Sequence, residues 1–354
     1  MHAHNPLDYL LQFVAKWDMP TIHSAVLILC AMIPGLSHAC LWDSDTLATE
    51  RARFPEVQGT MSGVFPRHSK EYHAWRVQQK EPLVESGKAA ASDYDDLAVS
   101  LHKLGSHQRA IDVMMAKEKK LPGQYETYSN LGTFYIYTGD LVTAKSWIEK
   151  ALSINLNAHF GREKYQLWLV QWLLERREAT ESLVNPGDES IDQYFARTKG
   201  FASFVARREA GGYSGSSDQP ISFSEDQRKA AIGGVTGMMY FTDFDNPILQ
   251  EALGDLLSFG SGEDNAAQLA SLCYLQASQR VAGSEEKKRL MDKVLKEIST
   301  SKGVDETTLK TVRRKSLEQG EAYAKKVRAD ELAWIAAGKD VSADFQKKYL
   351  GQLR

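Results

Sequence analysis

Residues 94–114, "YDDLAVSLHKLGSHQRAIDVM", and residues 128–152, "YSNLGTFYIYTGDLVTAKSWIEKAL", decide the fold of this 354-residue chain. Tyr94, Leu97, Gly105 and Ala110 return as Tyr128, Leu131, Gly139 and Ala144, each 34 residues further on. A fixed period of this length marks a stacked supersecondary unit that buries its apolar face only against its neighbours. Apolar residues recur at helical spacing on both sides of the glycine, so each copy reads as two antiparallel helices joined by a tight turn. Ala98 and Gly132 take the small place where the first helix approaches the second, and Ala110 and Ala144 take the matching place on the second. Gly105 and Gly139 end the first helix, where a left-handed backbone is required.

This spacing and these residue types resemble the tetratricopeptide repeat, over about residues 91–176. Leu101 and Tyr135 fill its large apolar place, and Pro122 closes the first copy where the family favours proline, a place where Leu156 departs. A further step of 34 puts Tyr165 beside Tyr128, and "REKYQLWLVQWLLE" (162–175) reads as a third first helix. The following "RREATESLVNPG" lacks the small residues of a second helix, so the third unit is a degenerate or capping one, as repeat arrays require at their ends. Repeats with a capping helix are therefore expected over 91–184.

Outside the repeats, 40–90 is expected to be an N-terminal helical segment and 185–223 a helix (189–209) followed by the flexible loop "GGYSGSSDQP". Residues 224–354 read as a helical C-terminal region. Ser224 with Gln227 forms a capping box, Asn246 before Pro247 starts a helix that ends at Gly260, and Ala266, Leu269, Ala270, Cys273, Ala277 and Val281 make one stripe. Helices at 284–299 and 306–337 and a short last one after Ser342 follow. No segment reads as a strand, so the fold class is all-α: antiparallel helix pairs in a solenoid, with a further helical C-terminal half. "CLWDSDTLATERARFP", "AHFGREKYQ", "GMMYFTDFDNPILQEALGDLL" and "AWIAAGKDVSADFQKKY" are similar to segments of a family of exported bacterial tetratricopeptide-repeat proteins of uncharacterised activity. That resemblance implies export and a single design for both halves, and no mechanism.

The N-terminus carries its own signal. "AVLILCAMIPGL" (25–36) is an uncharged run followed by Ser37-His38-Ala39, the order of a signal-peptide core and its cleavage site. Twelve apolar residues are too few to span a bilayer. Residues 1–39 are expected to be removed, leaving a protein that begins at Cys40 in the periplasm or cell envelope. The segment before the run departs from a basic one, holding Lys16 against Asp8 and Asp18. Cys40 has two open fates: acylation, although Ser37 stands where a lipobox has an aliphatic residue, or a disulfide with Cys273 in an oxidising compartment.

For function, a net charge of −3 and a pI near 6.3 provide no basic excess for nucleic acid. The resemblance implies a concave groove lined by the first helices, here by Asp95, Asp96, Ser129, Asn130, Thr133 and Glu163. The family's clamp for acidic tails is missing, because its places hold Asp95 and Val99, Ser129 and Thr133, Glu163 and Leu167. Asn130 matches the asparagine that bonds a peptide backbone, and the acidic lining favours a protein or peptide partner of neutral or basic character. Tyr125, Tyr137 and Phe160 are either anchors or packing residues.

His68 with His73 and His102 with His107 are five apart, which does not set two imidazoles on one helical face. "WDSDTL" and "TDFDNPI" lack the glycine and distal acid of calcium loops, "GYSGS" lacks the last glycine of a nucleophile elbow, and no phosphate-binding glycine loop is present. No metal, cofactor or catalytic residue is expected from these patterns. The leading expectation is an exported interaction module or scaffold. Its rivals are an envelope enzyme acting on glycan or peptide at the junction of the two halves, and a structural homo-oligomer joined through Trp168, Trp172 or the long C-terminal helix. Lys310, Arg313, Arg314 and Lys315 on that helix form a solvated face or a peripheral contact with anionic lipid or glycan.

Overall fold

The computed structural model describes residues 57–156, 161–182, 200–211, 223–259, 266–300 and 304–351. Among the described residues the chain forms 14 α-helices and no strand. In chain order these are α1 (Val57–Ser62), α2 (Lys70–Glu85), α3 (Ala91–Lys103), α4 (His107–Lys120), α5 (Tyr125–Thr138), α6 (Leu141–Ile154) and α7 (Arg162–Ser182). They continue as α8 (Gly200–Glu209), α9 (Glu225–Phe241), α10 (Pro247–Ser258), α11 (Ala266–Ser278), α12 (Ser284–Thr300), α13 (Glu306–Ala336) and α14 (Val341–Phe345), which runs into a π turn at Gln346–Leu350. Residues 1–39, Cys40, Phe160, 189–199 and the loop at 212–222 lie outside the described residues. No described helix is long and apolar enough to cross a membrane.

The 34-residue spacing is reproduced in the backbone. Helices α3 and α5 begin at Ala91 and Tyr125, and α4 and α6 span His107–Lys120 and Leu141–Ile154. Gly105 and Gly139 turn between them at φ 84° and 83°, left-handed values that strain the backbone of residues carrying a Cβ and suit glycine. Gly132 lies against Ile148 so closely that a Cβ would fall 2.6 Å from that side chain. Ala98, Ala110 and Ala144 are fully buried in the same contacts. The expected small-residue places thus hold close helix approaches.

Helix α7 differs from expectation. It continues past residue 175 to Ser182, and α9 packs antiparallel along it. Two glycines permit this approach: a Cβ on Gly234 would fall 2.6 Å from Tyr165, and one on Gly237 2.5 Å from Arg162. The largest core joins α7 through α13, and it also takes Met61 from α1. Met61 Sδ sits 3.6 Å from Cys273 Sγ, and Gln276 donates to the Met61 carbonyl at 3.3 Å. Cys273 is a free, buried thiol whose pKa burial pushes up, with Asp255 adding to the effect. Trp172 is buried against Phe201 in this same core.

Helix α13 packs on α1, α2 and α11, tying the first described helices to the last. Its buried Glu331 accepts from the Ser69 backbone at 2.9 Å, at the start of α2, and lies 2.5 Å from His68 Nδ1. Arg328 adds a 2.8 Å bond to Glu71, and Tyr72 meets Ser342 at 2.8 Å. Gly320 places α13 directly on the Ser62 backbone.

Candidate functional site on the first helices

The six residues expected to line an open groove are buried, with exposures of 0 to 4%. Helix α2 and the first helices α3, α5 and α7 follow one another, and their facing polar residues pair across the joints. Asp96 faces Arg76 at 3.5 Å and Lys80 at 3.0 Å. Asp95 receives Lys117 Nζ at 2.7 Å on both oxygens and Asn130 Nδ2 at 3.4 Å. Gln166 donates to Thr133 at 3.0 Å, and the Tyr125 hydroxyl donates to Glu163 at 2.5 Å. The result is a buried polar seam, where the sequence suggests a solvent-facing lining. Burial lifts the Asp95 carboxyl to about 7, against the pull of Lys117.

Asn130 therefore belongs to helix packing. Asn130→Ala removes a donor to a buried carboxylate and is expected to cost about 1–3 kcal/mol, measured by urea denaturation. An unchanged midpoint would show that Asp95 is satisfied without it. The residue that sequence reasoning missed is Lys117, which is fully buried. A signal for it existed: a step of 34 from Lys117 lands on Ala151, so a lysine stands where the second copy holds a small core residue. Such a substitution requires a buried counter-charge, and Asp95 provides it.

The chain's own residues 241–246 contact the first helices beside the seam. Lys103, at the end of α3, donates to the carbonyls of Phe241 (2.5 Å) and Thr242 (2.8 Å). The Arg162 guanidinium lies 5.1 Å over the Phe241 ring. The Tyr137 hydroxyl lies beside the Thr242 and Asn246 side chains, and burial pushes its phenol up to about 12. Phe65 stacks on Tyr240 at 4.4 Å and meets Phe244 edge-on at 5.9 Å, so the segment before α2 closes the junction from the other side. Asp243 stands exposed there, within electrostatic reach of Lys103, Arg280 and Arg67.

His102 and His107 come together despite their five-residue spacing, because they flank the Gly105 turn on two different helices. Their Nδ1 atoms are 3.0 Å apart, with Phe134 and Tyr137 against the His102 ring. Burial, then Lys103 and His107, hold the His102 pKa well below its ordinary value of 6.5. The unfolded chain therefore takes up a proton that the folded one refuses, and stability falls as pH drops below about 6.5. A His102→Asn variant should lose less melting temperature than the parent between about pH 7 and pH 5.5. Equal losses would remove His102 from the acid response. Among the described residues no group of three or more His, Cys, Asp or Glu is placed to hold a metal ion.

A second cluster joins α7, α10 and α12. Glu251 accepts from Arg289 (2.6 and 2.7 Å), Lys293 (2.8 Å) and Arg176 (3.2 Å). Asp255 accepts from Lys293 (2.7 Å), the Tyr274 hydroxyl (2.9 Å) and the Phe201 amide (2.7 Å). Burial opposes ionisation of Glu251, yet Lys293, Arg289 and Arg176 hold its carboxyl far below the usual range. Glu286 completes three acids against three bases, pairing with Arg176 and Arg289. Charge balance and mutual pairing mark this cluster as a clamp between helices.

No protein-family model, curated protein or solved structure matches this chain.

Proposed function

We propose that this chain is a scaffold of the tetratricopeptide-repeat type that binds a protein or peptide partner of neutral or basic character. The observation that carries this reading is the matched pair α3/α4 and α5/α6, with helix starts 34 residues apart and a left-handed glycine at the same place in each. Units of this kind build extended binding surfaces by stacking. Export to the cell envelope is part of the proposal and rests on residues 25–39 and on the resemblance to exported repeat proteins.

A photo-reactive residue at exposed Asp243, beside the seam, tests it against one at exposed Val142 on α6. A discrete cross-linked partner from either position in the native cells supports a scaffold, and the position says which face is used. Absence of any partner from both positions would remove the reading. An enzyme at the junction is the second reading, favoured by the convergence of His102, Lys103, Tyr137 and Asp243 there. It requires a hydrolytic activity on glycan or peptide that His102→Asn abolishes in a folded protein.

A further inference from the structure

Among the buried side-chain polar atoms of α5 and α7, two that have no hydrogen-bond partner sit at one short relay. They are Ser129 Oγ and Gln166 Oε1, on residues that are 0% and 2% exposed. Both touch one short relay: the Gln166 amide nitrogen donates to Thr133 Oγ1 at 3.0 Å, and Thr133 donates to the Ser129 carbonyl at 3.1 Å. The spare valences are therefore a hydroxyl and a carbonyl, with the Glu163 carboxylate one turn from Gln166 on α7. Native interiors rarely leave such atoms unpaired, and where they do the reason is often a ligand, an ion or a water. Acceptors beside a carboxylate suit a group that carries several N–H donors and a positive charge.

Residues 241–246 are held at the rim of this joint. Phe241 lies over Arg162, one turn before Gln166, and Thr242 and Asn246 lie beside Tyr137, one turn beyond Thr133. Lys103 fixes the two carbonyls between these points. None of these contacts satisfies Ser129 Oγ or Gln166 Oε1. We propose that the α5–α7 joint is a recognition site for a lysine or arginine side chain of a partner segment, and that residues 241–246 are its displaceable cover. The proposal rests on the scaffold reading and names the partner chemistry of that site. A cationic side chain entering the joint completes the two open valences, and the cover gives up its contacts with Lys103 and Tyr137.

The test uses the full chain and a decapeptide of alternating lysine and alanine, with a glutamate–alanine decapeptide as control. Lys103→Met loosens the cover and should tighten binding of the lysine peptide by about tenfold. Tyr137→Phe frees Thr242 and Asn246 while keeping the ring, and should act in the same direction if Lys103→Met proves unstable. Adding Ser129→Ala with Gln166→Leu to either variant should abolish the gain. Because Gln166→Leu also removes the donor to Thr133, a thermal melt of the double variant checks that it is folded, and Ser129→Ala alone, which deletes only an unpaired hydroxyl, should leave the melting temperature equal or higher. No gain in folded Lys103→Met and Tyr137→Phe, equal binding of the glutamate peptide, or a gain that survives the double change would each overturn the site and leave only a buried water as its occupant. A native partner that binds all variants equally would keep the scaffold reading and reject this joint as its surface.

Discussion

Replacing Glu251 with alanine is expected to destabilise the fold by about 3–5 kcal/mol, the range found when one partner of a buried charged network is removed. Three cations converge on this carboxylate, whose side chain is 4% exposed. Without it Arg289, Lys293 and Arg176 crowd one another with only Asp255 and Glu286 to offset them. Their side chains keep 18 to 25% exposure, so water screens part of the repulsion and the lower end of the range is the better expectation. The measurement is the denaturation midpoint at unchanged slope. A loss below about 1 kcal/mol would mean that solvent already does the work of the carboxylate. The same logic sets an acid limit. The folded-state pKa of Glu251 lies below its ordinary value of 4.5, so its contribution is present above about pH 4.5 and is lost as pH falls through the folded value.

Gly320→Ala should be the second large loss, and its sign makes it diagnostic. In a helix interior the exchange normally gains about 1 kcal/mol from backbone entropy. Here the added Cβ would overlap the Ser62 carbonyl oxygen, with the Ser62 and Gly63 carbonyl carbons behind it at 3.1 and 3.3 Å. Main chain cannot rotate away as a flexible side chain can. Overpacking of this kind costs about 1–3 kcal/mol or more, and it must exceed the propensity gain for α13 to lift from α1. Gly233→Ala in α9 supplies the contrast, because no atom lies within 4 Å of its Cβ position. That variant should gain up to about 1 kcal/mol. Thermal melts of the pair settle the matter: if both shifted in the same direction, the contact between α13 and α1 would not be a tight one.

Much of this architecture was legible in residues that act locally. Gly105 and Gly139 dictate turns by their own backbone freedom, Ser224 with Gln227 and Asn246 with Pro247 form the expected helix starts, and the period locates Ala98, Gly132, Ala110 and Ala144 in close contacts. What was not legible depends on distant chain. Nothing near Lys103 or Arg162 reveals that residues 241–246 pack against them, and nothing near Met61 places it against Cys273. The meeting of His102 and His107 needed the turn geometry as well as the spacing. Lys117 was readable, but only by comparing the two copies place by place and asking which residue type was out of keeping.

The bond from the Ser69 backbone to Glu331 joins residues 262 apart, and this has a consequence for synthesis. A chain emerging from the ribosome carries α1, Phe65 and the start of α2 long before α11 and α13 exist to receive them. Met61 and Phe65 must wait in water, or against a chaperone, while the middle of the chain folds through its short-range helix pairs. Assembly should accordingly be biphasic: a fast phase that forms α3 through α6, and a slower one, limited by closure of a very long loop, in which α13 arrives and fastens both ends. Variants weakened at His68, Gly320 or Glu331 would lengthen only that second phase, and with it the time during which the nascent protein is open to aggregation and proteolysis.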